Sequence, residues 1–300
     1  MNGKKILVTG ASGFIGRHLV NALIAENNHS LAITTRDRIT ATLIFSDNVS
    51  YIEIDNVDFK KNIVSFSPDI VIHLASYSTN KDDISTIKQL IDANILFLSV
   101  LLDAVKDTKA TLFLNTGSFA EYFYNDGALS PVYYYAATKT ASRSILKYYS
   151  NLTGIKHCTI VPYTVYGGIN KSKKIIDFIF DSLEASVPIA MSKGEQISDF
   201  VHIDDLVSFY LHILNNTSLL KDADDYHVGS GKGSSLRDVA GLVEKISGKK
   251  TNINWGALDY RPLDMMRAIA PIYKLEKELN WKPKIGIQQG LKLLWSKTKE

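Results

Sequence analysis

Tyr135 and Lys139 stand four residues apart in the stretch Tyr133-Tyr134-Tyr135-Ala136-Ala137-Thr138-Lys139. On a helix this spacing puts both side chains on one face, where they can meet. An ammonium beside a phenol stabilises the phenolate and lowers the phenol from its reference pKa of about 10. The expectation is therefore a proton donor or acceptor that works near neutral pH. Tyr and Lys at this spacing are also what an ordinary solvated helix carries, so their meaning depends on the elements that place them. The apolar run Ala110 to Asn115 reads as a strand ending in Asn115-Thr116-Gly117-Ser118, and the helix bearing Tyr135 follows it. That order brings a hydroxyl, Ser118, to the end of a strand just before the Tyr–Lys helix.

A second group of residues lies at the start of the chain. Gly10-Ala11-Ser12-Gly13-Phe14-Ile15-Gly16 separates the apolar run Lys4 to Thr9 from the helical pattern Phe14 to Glu26. Glycines allow a tight turn and close backbone approach, and a helix N-terminus offers unpaired N–H groups to phosphate oxygens. The spacing is GxxGxxG, in the first strand–turn–helix unit, where a doubly wound sheet holds a dinucleotide pyrophosphate. After the second strand comes Thr34-Thr35-Arg36-Asp37-Arg38. Arg36 suits a ribose 2′-phosphate and favours NADP(H), while Asp37 leaves NAD open. Asp55 follows the third strand and reads either as an adenine contact or as a strand end. In His73-Leu74-Ala75-Ser76, after the fourth strand, Leu74 and Ala75 are expected beside the cofactor and Ser76 beside the substrate. His73 is read as a hydrogen-bonded residue of the turn, not as a base.

Further apolar runs at Ser30 to Thr35, Val49 to Ile54, Asp69 to Leu74 and Lys156 to Val161 read as strands. Helical patterns at Asp58 to Phe66, Ile84 to Lys106 and Tyr134 to Leu152 lie among them. Strands apolar on both faces that alternate with helices imply an α/β fold, a doubly wound parallel sheet of the Rossmann type. Beyond Gly167 the alternation breaks down. Helices at Lys174 to Glu184, Asp204 to Leu214, Leu236 to Ile246 and Pro271 to Leu279 mix with short strands at Gln196 to Val201 and Tyr226 to Val228. The expectation is a dinucleotide-binding domain over 1–166, to which segments near 202–228 return. Residues 167–201 and 229–300 would form a smaller mixed α/β substrate domain.

The bulk properties of the 300 residues are those of a soluble globular chain, 45% hydrophobic and 22% charged. The net charge of +3 is scattered, which carries no nucleic-acid or membrane footprint. The basic run Lys171 to Lys174 reads as a solvated helix start. No stretch of about 18 uninterrupted apolar residues and no signal-peptide pattern is present, so a cytoplasmic location is expected. Cys158 is the single cysteine, which excludes an internal disulfide, and its strand-like surroundings mark it as a core thiol.

The chain resembles the extended short-chain dehydrogenase/reductase superfamily, in its branch acting on nucleotide-linked sugars. The matching pieces run over nearly the whole length: Thr9 to Gly16, Val71 to Ala75, Ser118 to Tyr122, Tyr135 to Lys139, Val165 to Gly167, Asp199 to Leu206, Val228 to Gly233, Arg261 to Asp264 and Trp281 to Pro283. The NTGSF and GEQISDF stretches are similar to the 4-ketoreductase group that includes CDP-abequose and CDP-paratose synthases. The resemblance implies that Tyr135 is the general acid, that Lys139 holds the nicotinamide ribose, and that Ser118 hydrogen-bonds the sugar carbonyl. It implies that Arg261 clamps the diphosphate, that Phe119 and Thr164 line the sugar pocket, and that two copies pair through the helices at Ile84 to Lys106 and Tyr134 to Leu152.

Departures refine this. Dehydratases of the family commonly carry Asp-Glu after the catalytic hydroxyl, whereas this chain has Phe119-Ala120, with Glu121 close by. Pro162 and Thr164 stand where many epimerases carry Arg and Asn, and Ser198 where an Arg often precedes Asp-Phe. The expected activity is NADPH-dependent reduction of a nucleotide-activated 4-keto-6-deoxy sugar for surface polysaccharide. The alternatives are an NAD-retaining 4-epimerase and, in another class, a non-enzymatic dinucleotide sensor.

Overall fold

The computed structural model describes residues 3–45, 48–124, 126–168 and 173–297. The first half alternates as the pattern requires: β1 (Lys5–Thr9), α1 (Phe14–Glu26), β2 (Ser30–Thr35), α2 (Arg38–Ile44), β3 (Val49–Glu53), α3 (Phe59–Phe66) and β4 (Ile70–His73). Then follow α4 (Ile84–Ile91), a π-helical stretch Asp92–Leu96, α5 (Phe97–Val105), β5 (Leu112–Thr116), α6 (Tyr134–Thr153) and β6 (Lys156–Pro162). The second half holds β7 (Thr164–Tyr166), α7 (Ile175–Asp181), β8 (Ile189–Met191), β9 (Ile197–His202), α8 (Ile203–Asn215) and β10 (Asp224–Val228). It closes with β11 (Gly233–Ser235), α9 (Leu236–Ser247), β12 (Ile253–Trp255), β13 (Arg267–Ala268), α10 (Tyr273–Leu279) and α11 (Ile287–Lys297).

Seven strands form one sheet in the order β10-β6-β5-β4-β1-β2-β3, and every pairing in it is parallel. Alternate residues serve opposite faces. Ile6, Val8, Ile72, Leu114 and Ile160 pack with α1, α8 and α10 on one side, while Leu7, Val71 and Phe113 pack with α3, α5 and α6 on the other. A sheet buried on both faces needs strands apolar at consecutive positions, which is what those runs contain. The order reverses between β1 and β4, so their carboxyl ends open the crevice where ligands bind in such sheets. Cys158, in β6, is fully buried in the core as expected, and burial pushes its thiol up to about 12.

Four strands lie in a second sheet, with β9 paired to β11, β13 and β7, and β8 pairs with β12 apart from it. β10 joins the main sheet beside β6, so the chain returns to it after β9.

The expected continuous helix Ile84 to Lys106 is interrupted by the π turn, whose Asn94 is buried. Residues Ile84–Val105 are long and apolar enough by composition to cross a membrane, yet Leu98, Leu101 and Leu102 are buried against the sheet. α2, α11 and five strands of two or three residues were not anticipated, being too short or too weakly patterned to stand out. Of the basic run Lys171 to Lys174, Lys171 lies outside the described residues; Lys173 is exposed as read, whereas Lys174, at the start of α7, sets its ammonium 4.4 Å from the centre of the Phe14 ring, where burial lowers its pKa.

Candidate active site

The nucleotide end is made of main chain. Gly10 has a left-handed φ of 67°, and a Cβ there would stand 2.5 Å from the Ala75 nitrogen. A Cβ on Gly16 would stand 2.2 Å from the Gly10 carbonyl oxygen, so α1 closes onto the turn only through glycine. Gly13 caps α1 without a side-chain hydrogen bond, so the N–H groups of its first turn, next to Ser12, Phe14 and Ile15, have no side-chain cap. These features suit a pyrophosphate.

β4 supplies the opposite wall. Thr9 Oγ1 and His73 Nδ1 lie 2.9 Å apart, and Thr9 Oγ1 accepts the Ala75 N–H at 3.2 Å, which locks Leu74 and Ala75 against Gly10. Burial pulls His73 down to about 3, with the Lys139 charge adding to the effect; it is a neutral turn residue, as expected. At the end of β2, Arg36 is exposed, while Asp37 caps α2 by accepting the Thr40 N–H at 3.0 Å. Arg38 lies over the Tyr51 ring and 3.9 Å from Glu53. Asp55 is exposed just beyond β3.

The other end is made of side chains. α6 begins at Tyr134, so Tyr135 and Lys139 sit one turn apart on it. Lys139 is 3% exposed, and its Nζ donates to the Thr116 carbonyl at 2.9 Å. Burial pulls its ammonium down to about 8, Glu121 opposing and Arg143 reinforcing. Tyr135 differs from expectation. Burial pushes its phenol up to about 12, against the hydroxyls of Ser76 and Ser118, and the nearby ammonium does not dominate. The reason is that desolvation of a buried phenolate outweighs the charge one turn away. Tyr135 is a protonated phenol at neutral pH.

Ser118 is the N-cap of a 3-10 turn, Phe119–Glu121. Its Oγ accepts the Ala120 N–H at 3.2 Å, which leaves the hydroxyl proton to be donated elsewhere. Glu121, fully buried, accepts the Ser118 N–H at 2.8 Å and the Arg143 Nε–H at 2.7 Å. Arg143 in turn donates to both oxygens of Asp225 at 2.7 and 2.8 Å.

Asn94 is a further organiser. Its side chain accepts from the Ser76 hydroxyl at 3.0 Å and the Tyr77 N–H at 2.9 Å, and donates to Thr138 Oγ1 at 2.9 Å. It thus ties the loop after β4 to the Tyr135 helix.

A cavity of about 560 Å³ is lined by Phe119 and Tyr133, neighbours in sequence of Ser118 and Tyr135, together with Thr164, Arg261, Asp264 and Met265; Ser118 and Tyr135 are not themselves in its lining. Three residues expected at the substrate, Phe119, Thr164 and Arg261, share it. Ser76 does not line it and sits instead against Tyr135 and Asn94. The Arg261 guanidinium faces Asn80, whose amide oxygen, turned toward it, accepts from its nitrogens at 2.5 to 3.0 Å. Asp264 accepts the main-chain N–H of Arg261, at 3.5 Å.

The family model described as "NAD dependent epimerase/dehydratase family" matches residues 6–229. The chain belongs to this family. Among curated relatives it is 32% identical to CDP-abequose synthase of Salmonella typhimurium over 96% of both chains, and 27% identical to CDP-abequose synthase of Yersinia pseudotuberculosis over 94% of this chain and 96% of that one. UDP-glucuronate 4-epimerase of Thermodesulfobacterium geofontis is 29% identical over 97% of this chain and 95% of its own. Among solved structures, UDP-glucuronic acid 4-epimerase of Bacillus cereus in complex with UDP-glucuronic acid and NAD superposes with a TM-score of 0.86 at 25% identity, covering 98% and 99% of the two chains. The family fold is the doubly wound sheet found here, and its members are NAD(P)-dependent enzymes acting on nucleotide sugars.

Some family motifs are anchors of the fold. Asp199 is fully buried and accepts from the N–H groups of Ser230, Gly231 and Ala270 at 2.7, 2.8 and 3.1 Å. Asp205 accepts from Lys284 and Ile285 N–H at 2.9 and 2.8 Å. Sequence reasoning passed over Asn94, Arg143 and Asp225. Arg143 had a signal, standing four residues beyond Lys139 on the same helix; Asp225, 82 residues further on, had none.

Proposed function

We propose that the protein reduces the 4-keto group of a nucleotide-activated 4-keto-6-deoxy sugar with NADPH, in deoxysugar biosynthesis for surface polysaccharide. The observation that carries this reading is the Tyr135 phenol within hydrogen-bonding reach of the Ser118 hydroxyl, two donors side by side at the end of β5. Ketone reduction develops negative charge on the carbonyl oxygen, and donors already aimed at it lower the barrier. Ser118 donates a hydrogen bond to that oxygen, and Tyr135 delivers the proton. The ammonium of Lys139 holds the nicotinamide ribose and offsets the charge left on Tyr135. The bound dinucleotide supplies the hydride. The turn at Gly10, Gly13 and Gly16 seats its pyrophosphate, with Leu74 and Ala75 as the facing wall. Arg36 takes the 2′-phosphate, and Asp55 borders the adenine. Asp37 is engaged as a helix cap, which favours a phosphate over a bare ribose at this corner.

The substrate lies in the cavity between Phe119, Thr164 and Arg261, the guanidinium of Arg261 exchanging Asn80 for the diphosphate. Elimination of water is disfavoured, because the one acid near Ser118, Glu121, is bound to Arg143. The CDP-abequose synthase names of the relatives support the deoxysugar end of the reading. The exposed flank of the α4–α6 helices, with Leu96 and Val100, supports a homodimer. The retained Ser118, Tyr135 and Lys139 argue against a sensor without catalysis.

The second reading, an NAD-retaining 4-epimerase, has the B. cereus neighbour with NAD in its favour. CDP-, dTDP-, UDP- and GDP-linked 4-keto sugars incubated with NADPH, followed by mass spectrometry, test the two. Stoichiometric NADPH consumption with a product two mass units heavier is expected. Purification with bound dinucleotide and isomerisation without added cofactor would replace the reductase by the epimerase.

A further inference from the structure

Arg143 and Glu121 form an ion pair in a place where an ion pair is costly. The carboxylate is 0% exposed and the guanidinium side chain 15%. Two charges removed from water must recover their hydration through excellent geometry and further hydrogen bonds. Both are present. Glu121 accepts from Arg143 Nε at 2.7 Å and Nη2 at 3.3 Å, from Thr140 Oγ1 at 3.3 Å and from the Ser118 N–H at 2.8 Å. Arg143 also donates to the Tyr122 hydroxyl at 3.0 Å, and that hydroxyl donates to Asp225 Oδ2 at 2.6 Å. The main chain is cut to fit: a Cβ on Gly117 would stand 2.7 Å from Glu121 Oε1 and 2.9 Å from Arg143 Nη2. None of these groups lines the cavity, so the network is not itself a ligand site.

It reaches the chemistry through the Ser118 N–H that Glu121 accepts, and through the charge of Glu121, which acts on Lys139 and on Tyr135. We propose that the Glu121–Arg143–Asp225 bridge is a positioning device for the reacting residues: Glu121, fixed by Arg143, clamps the main chain of Ser118, and its carboxylate favours the ammonium of the buried Lys139, which the charge of Arg143 by itself disfavours. The proposal rests on Ser118 and Lys139 being working residues, as read above. The groups facing Lys139 are few. Its own helix contributes Tyr135 and Arg143, and the 3-10 turn contributes Glu121. β4 contributes His73, and β5 the Thr116 carbonyl, whose side chain meets the Tyr210 hydroxyl of α8 at 3.3 Å. Asp225 of β10 stands behind Arg143. Among the described residues, Glu121 is the carboxylate that acts on Lys139, and Arg143 the cation that opposes it.

Opposite signs make the test. The full chain, with 13C-labelled lysine side chains, is titrated by NMR, and the Lys139 signal is identified by its absence in Lys139→Met. In Glu121→Gln the midpoint is expected to fall from about 8 by about one pH unit or more. In Arg143→Met it is expected to rise. The double variant Glu121→Gln/Arg143→Met is expected between Glu121→Gln and the wild type, which gives the sign of the Arg143 effect even where Arg143→Met alone does not fold. The alkaline limb of kcat should follow the same order. Midpoints that all coincide with the wild type, while only the melting temperature drops, overturn the proposal. A wild type that turns over none of the keto sugars overturns the reductase reading instead, and the titration still decides this one.

Discussion

The two ends of the ligand crevice are built from different materials. Around β1 and α1 the work is done by peptide groups, with Gly10 and Gly16 chosen for the side chains they lack. Around β5 and α6 it is done by buried ionisable side chains: Lys139, Glu121 and Arg143, each with a hydrogen-bonded partner. A main-chain cradle has no proton to lose in the neutral range and is indifferent to pH. A cluster of buried charges is not, because each member's protonation depends on the others. On the proposed reading, the nucleotide end would govern binding, and the other end rate and its pH dependence.

Tyr135→Phe tests that division most severely. Turnover is expected to fall by about 10³-fold, within the range general acid catalysis supplies, while the dinucleotide Kd stays nearly unchanged. An undiminished rate would remove Tyr135 from the chemistry. Next in size is the stability linked to Lys139, whose folded pKa of about 8 lies below the ordinary 10.5. Below pH 8 both folded and unfolded chains carry the proton. Between about 8 and 10.5 the unfolded chain binds a proton that the folded one has released, so stability rises with pH across that window. The rise is of the order of 3 kcal/mol. Urea unfolding of wild type against Lys139→Met should show it as a difference in slope; identical slopes would make Lys139 an ordinary lysine. The smallest effect belongs to the nucleotide end. Arg36→Ala is expected to weaken NADPH binding about tenfold and NADH binding much less. Equal losses in a binding titration would take Arg36 off the 2′-phosphate.

Much of the frame was legible. The bounds expected for α1 and β2 agree with those observed, and those of β1, β3, β4, β6, α3 and α6 lie within a residue or so. Buried parallel strands and long amphipathic helices repeat their signal over many residues. The strands β7, β8, β11, β12 and β13 do not; at two or three residues each they have no period to read. Asp37 shows another kind of limit. Read as a ribose ligand or not, it is also the cap of α2, a helix whose seven residues were passed over. Asn94 was hidden inside an apolar stretch that reads as one helix, and only the π turn gives its buried amide three partners.

The amino-acid sequence by itself determined the class of fold, the glycine turn and the order Ser118, Tyr135, Lys139, because each depends on neighbours within a few residues of chain. Tertiary structure alone decided the protonation of those residues. A Tyr–Lys pair on a bare helix predicts a lowered phenol, yet Tyr135 is raised to about 12 and Lys139 lowered to about 8. Desolvation depends on everything packed around a group, and the partners that answer it, Thr116, Glu121 and Asp225, arrive from β5, a 3-10 turn and β10.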